Sequence, residues 1–250
     1  MLISTAAATA RIREQVHQVD AQPYVGREYI GSAPKPGSAG YGQDVAGDGG
    51  PQAYLVMQPP RSVTRPHFHQ TNQFQVFVGG SGRVGKRRAD PVTVQYAGAN
   101  TPYGPIVAED DGVHYFTLRQ EWDSGAKYLP AQRSLLVKGR QRQLIGVLAD
   151  DDVPASGVTE TALVPPAADG LCVVALGLAA GETATLPDAA AGGGQYHLVV
   201  AGALRRDDTL LEPLSLEFAS PDQGTVPVTA GPDGLVLLLL RFPRKAEAGT

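Results

Sequence analysis

The chain has 250 residues, enough for one large domain or two small ones with a buried core. Its 42% hydrophobic and 18% charged content is that of an ordinary globular protein and excludes a disordered one. A net charge of −4 argues against nucleic acid or an anionic membrane surface as the main partner.

In chain order, residues 1–20 form an N-terminal segment, with a short helix predicted around TARIREQVHQV. This segment lacks the charged start and long apolar stretch of a secretion signal. Residues 31–51 are dense in Gly, Pro and Ser and read as loop. From residue 53 short runs follow at regular spacing: AYLVMQ, QFQVFV, VTVQYA and VHYFTLR. Each is rich in Val, Phe, Tyr or Thr and bounded by turn residues, the pattern of an all-β sandwich or barrel. The basic cluster GKRRAD (85–90) lies between two such runs and reads as a solvated hairpin tip. Residues 120–165 are less regular, with one or two connecting strands expected in SLLVKGRQRQLIGVL. The strand pattern then resumes through LCVVALGL, TATL, YHLVVAG, PLSLEFA and LVLLLLRF. LVLLLL (235–240) is far shorter than the ~20 residues that span a bilayer and reads as a buried strand. The single cysteine, Cys172, permits no internal disulfide and reads as a buried filler; this suits a reducing cytoplasm.

The second half repeats the first. With a shift of 122 residues, QFQVFVGG (73–80) falls on QYHLVVAG, PVTVQYAG (91–98) on PLSLEFAS, and the segment 105–119 on 227–241. About a quarter of the positions between 73 and 119 are identical without a gap, turn residues such as Gly80/Gly202 and Gly112/Gly234 included. Two copies of one β-domain are expected, 21–125 and 126–243, with a tail over 244–250. The copies differ in their imidazoles: His67 and His69 fall on Ala189 and Ala191, and His114 falls on Val236. Histidines that the second copy lacks are not needed for the fold, so they point to function in the first.

His67 and His69, one residue apart, share a face of an extended strand at about 7 Å. Two neutral imidazoles on one face can converge on Fe, Mn, Ni or Zn. His67-x-His69, then Gln73 after three residues and Gly80 after six more, resembles the first motif of the cupin superfamily, G-x5-H-x-H-x3-E-x6-G. Pro102-Tyr103-Gly104 resembles part of its second motif, G-x5-P-x-G-x2-H-x3-N. The resemblance implies a double-stranded β-helix (cupin, jelly-roll) barrel in each half, a bicupin, and a homodimer. Departures are Arg61 and Tyr96 at the two leading glycines, Gln73 at the Glu ligand and Val107 at the last His ligand. On this reading His67, His69 and Gln73 hold one divalent metal ion. His114, Gln75, Gln95 and Tyr103 are further pocket candidates, and no catalytic residue is assigned. Two functions follow as expectations. One is a metal-dependent enzyme, dioxygenase- or isomerase-like, acting on a small oxygenated molecule. The other is a non-catalytic small-ligand binding or sensing bicupin with an eroded metal site.

Overall fold

A computed structural model describes residues 1–47, 49–139 and 141–245; most of the 244–250 tail lies outside them. The chain is nearly all-β, with antiparallel sheets. Among the described residues no helix is long and apolar enough to cross a membrane.

The chain divides into two units, Ile12–Val147 and, from both ends, Met1–Arg11 with the residues from Leu148 on. The expected boundary near 125 thus differs from the one observed. The strand Gln143–Val147, past that point, pairs with Thr93–Ala97 and completes the sheet of the first unit. The N-terminal segment is also not one helix. Leu2–Thr5 is a strand, only Ala7–Arg11 is helical, and Glu14–Val19 is a strand. The apolar residues of that segment serve two sheets, a pairing that local periodicity cannot register.

In the first unit the strand order is Gln143–Val147, Thr93–Ala97, Gln73–Val84, Ile106–Arg119, Gln52–Gln58, Gln22–Ile30, Glu14–Val19. In the second it is Leu2–Thr5, Leu216–Ala219, Gln195–Arg206, Val226–Arg241, Cys172–Leu178, Val158–Val164. The first six strands of the one order match the second. Register follows the 122-residue repeat: Gln73 pairs with Ala97 as Gln195 pairs with Ala219. On the next strand the shift is 120, since Arg119 pairs with Gln52 and Arg241 with Cys172.

Alternation along the strands decides what faces inward. In the second unit Cys172, Val174, Leu176 and Leu178 pack with Leu235, Leu237 and Leu239 into one aliphatic core. The register partners in the first unit are Gln52, Tyr54, Val56 and Gln58 with Val113, Tyr115 and Thr117. Val113 and Tyr115 join a smaller core with Phe77 and Ile106, while Tyr54, Val56, Tyr115 and Thr117 line a cavity. Cys172 is a buried free thiol, as its apolar neighbours require. The basic cluster is a hairpin tip, with Arg87 and Arg88 exposed and Arg88 paired to Asp90 and Glu109.

Candidate functional site

The cavity of the first unit holds about 690 Å³, its open mouth included. His67 and His69 lie on its wall. Only His67–Phe68 is strand, antiparallel to Lys127–Tyr128. The backbone of His67 is clamped from the other side by two hydrogen bonds with Tyr103, of 3.0 and 3.1 Å. The His67 and His69 rings end 5.3 Å apart, nearly perpendicular.

Hydrogen-bond chemistry fixes the direction of each contact. The Arg65 carbonyl can only accept, so His67 Nδ1 carries the proton and donates to it at 2.7 Å. His67 Nε2 is then an acceptor and takes the Tyr103 hydroxyl at 2.7 Å. Tyr103 Oη in turn accepts from Gln73 Nε2 at 2.5 Å. Gln73 Oε1 accepts from Arg119 Nη2 at 3.0 Å. The amide orientation of Gln73 follows because a guanidinium only donates.

Arg119 is 0% exposed and ends the strand Ile106–Arg119. Tyr115, Thr117 and Arg119 share its inward face and line the cavity. The guanidinium donates from Nη1 to Gln52 Oε1 at 2.6 Å and to Tyr54 Oη at 3.0 Å. Its Nη2 lies 3.0 Å from His69 Nδ1 and 3.2 Å from His69 Nε2. Near-equal distances to both ring nitrogens put the cation against the face of the imidazole, not in line with one lone pair. His69 Nδ1 donates instead to Asp123 Oδ1 at 2.8 Å. Asp123 also accepts from the backbone N–H of Gln70 and Gly125, and lies 3.6 Å from the buried Lys127 ammonium.

Burial sets the protonation states. It lowers His67 to about 4 and His69, with the Arg119 charge adding to the effect, to about 3. Both imidazoles are therefore neutral at pH 7. Burial would raise the Asp123 carboxyl, but His69, Arg119 and Lys127 outweigh it and hold the group ionised. The Tyr103 phenol is pushed up by burial and stays protonated. The fully buried charges beside the cavity are thus two cations, Arg119 and Lys127, and one carboxylate, Asp123. Among the described lining residues there is no Asp, Glu or Lys, and Arg119 is the one guanidinium.

The predicted trio is brought together, but around a guanidinium. Gln75 lines the cavity and accepts from Gln95, which stands behind it. Tyr103, not Val107, faces His67. His114 is not among the lining residues; its parity on the strand is opposite to that of Tyr115 and Thr117, and it packs against Gly79. Arg119, Asp123, Lys127 and Gln52 were not singled out by the sequence reading. For Arg119 a signal existed: it shares the strand face of Tyr115 and Thr117.

These residues do not fit a divalent ion. The His67 lone pair is taken by Tyr103, the Gln73 oxygen by Arg119, and no carboxylate stands among the three. A dication held by His69 and Gln73 would lie beside the buried guanidinium that faces the His69 ring and takes the Gln73 oxygen. At an effective dielectric near 20, charges of 2+ and 1+ about 5 Å apart repel by roughly 7 kcal/mol.

No protein-family model matches the chain, and no curated protein sequence matches it. Solved structures do. A candidate dioxygenase from Nostoc punctiforme is 13% identical, covers 99% of this chain and 85% of its own, and has a TM-score of 0.62. The bacterial pirin YhhW of Escherichia coli, in complex with nickel(II), is 12% identical over 98% of this chain and 100% of its own, with a TM-score of 0.58. A variant of Bacillus subtilis oxalate decarboxylase is 11% identical over 98% and 78%, at 0.56. The same enzyme is described elsewhere with Mn(II) centers. The neighbours are cupin-fold proteins, and the likeness shows the fold.

Proposed function

We propose that this chain is a bicupin whose N-terminal barrel binds a small anionic molecule, with Arg119 supplying the positive charge. The C-terminal barrel serves as scaffold. The observation that carries this is the buried guanidinium at the cavity wall, among residues spaced like metal ligands. A buried charge is tolerated only when it is hydrogen-bonded and compensated. Arg119 donates to Gln52, Tyr54 and Gln73, lies against the His69 ring and feels the Asp123 carboxylate, so the guanidinium is held charged at the cavity wall. A ligand oxyanion in the cavity would meet it there. Proton transfer is not favoured near neutral pH, because the imidazoles are held far below it and the Tyr103 phenol far above its ordinary range.

The test is metal content and carboxylate binding on the same preparation. Wild-type protein reconstituted with Fe, Mn, Ni or Zn is expected to retain none stoichiometrically, and calorimetry is expected to show carboxylate binding that Arg119→Met abolishes. Removing the built-in cation and restoring the carboxylate, Arg119→Met with Gln73→Glu, is expected to produce nickel binding. Stoichiometric metal in the wild type that disappears in His67→Ala/His69→Ala would overturn the proposal.

A further inference from the structure

We infer that the molecule held in this cavity is an aromatic carboxylate, a planar ring system of one or two rings with a single anionic head. This rests on the anion-binding reading above and narrows it. Six of the nine tyrosines of the chain, Tyr24, Tyr41, Tyr54, Tyr103, Tyr115 and Tyr128, line this one cavity. Three of their hydroxyls are engaged in the wall: Tyr24 bonds Thr64 at 3.0 Å, Tyr54 accepts from Arg119, and Tyr103 is held between Gln73 and His67. What these three present to a ligand is therefore ring surface. Ring faces carry negative potential and ring edges positive, so such a wall favours another aromatic body in offset or edge-on packing. His17 from the opposite strand and the apolar Val56 and Pro34 continue the same lining. The charge, by contrast, is confined to one place, Arg119.

The second barrel supplies an internal comparison. Where Tyr54, Tyr115 and Thr117 stand in the first, it has Val174, Leu237 and Leu239, and those aliphatics fill its interior. At these three positions, then, the strand plan accepts aliphatic side chains, and the tyrosines there are particular to the unit with the cavity.

The experiment compares matched probes by calorimetry on the full chain: 2-naphthoate, benzoate, cyclohexanecarboxylate, acetate and benzamide. Expected is 2-naphthoate tighter than benzoate, benzoate at least tenfold tighter than cyclohexanecarboxylate and acetate, and no measurable benzamide binding. Tyr115→Leu should weaken the two aryl carboxylates at least tenfold and leave acetate unchanged, while Tyr115→Phe keeps aryl affinity and reports on folding. Cyclohexanecarboxylate or acetate binding as tightly as benzoate would overturn the aromatic inference and leave the anion reading standing. Benzamide binding as tightly as benzoate would overturn the anion reading, and this inference with it. Absence of binding by every carboxylate would sink both.

Discussion

Arg119 and the two histidines form one electrostatic unit, and its pH dependence follows from where the charges lie. In the unfolded chain His67 and His69 take up protons near pH 6.5. In the folded chain they do so only near 4 and 3, because they are buried and, for His69, because a guanidinium lies against the ring. Between pH 6.5 and 4 the unfolded state therefore binds more protons, so stability is complete above 6.5 and falls as the pH drops through that window. The Asp123 carboxyl, held low, contributes only below its ordinary range and does not enter here. The expected loss is about 2 kcal/mol per histidine between pH 6.5 and 5. Urea midpoints of the wild type at pH 7.5 and 5.0 measure it, and His67→Gln with His69→Asn should reduce the difference, leaving the share of the buried His197, which burial also lowers. A wild-type midpoint independent of pH above 5 would show that these imidazoles are not buried and neutral. The histidine pair was legible from its spacing, since two residues of one kind on one strand face need no tertiary knowledge. For Arg119 the only signal was its strand face, shared with Tyr115 and Thr117, and a basic residue that ends an apolar strand ordinarily reads as a solvated strand end. Asp123 and Lys127 sit in a loop with no periodicity and reach the site only through the fold.

At the scale of single elements, the repeat locates the tightest backbone approaches. Gly80 has φ +64°, and a Cβ there would stand 2.1 Å from the Gly112 carbonyl oxygen. Its counterpart Gly202, φ +65°, would place one 2.2 Å from the Gly234 oxygen. The two long strands cross there at an irregularity in the ladder, and only a residue without a side chain lets them close. Gly80→Ala is expected to cost on the order of 2–4 kcal/mol, combining backbone strain with displaced partner backbone. Gly85, at the nearby hairpin tip, also has positive φ, yet a Cβ there would meet nothing closer than 3.5 Å. Gly85→Ala should cost only about 1 kcal/mol. Equal losses for the two in denaturant unfolding would contradict the crossing argument. Matching glycines such as Gly80/Gly202 and Gly112/Gly234 made the repeat readable over 73–119. Gln52–Gln58 and Cys172–Leu178 escaped it, because their shift is 120 and a short run of polar and aromatic residues shares no turn signal with a run of aliphatics.

Across the whole molecule, one strand plan is used for two interiors, a hollow polar and aromatic one and a filled aliphatic one. The sheet edges are completed differently. Thr93–Ala97 is covered by Gln143–Val147, which follows it in the chain, whereas Leu216–Ala219 is covered by Leu2–Thr5, more than two hundred residues upstream. The helix after that strand adds to the second unit: Ala7 and Ala10 are buried, the Ala7 N–H donates to Ser215 Oγ at 3.0 Å, and Arg11 pairs with Glu212. So distant a partner leaves no local pattern, which is why residues 1–20 read as an independent segment. Deleting residues 2–11 turns Leu216–Ala219 into an open edge with unpaired backbone groups on one side. Hydrogen exchange should then lose protection over 216–219, while Thr93–Ala97, which keeps its own covering strand, stays protected. A peptide of residues 1–11 added in trans should restore part of the lost protection. Unchanged exchange at 216–219 after the deletion would mean that the N-terminal strand does not hold that edge. Equal loss at 93–97 would mean that the two sheets do not open as separate units.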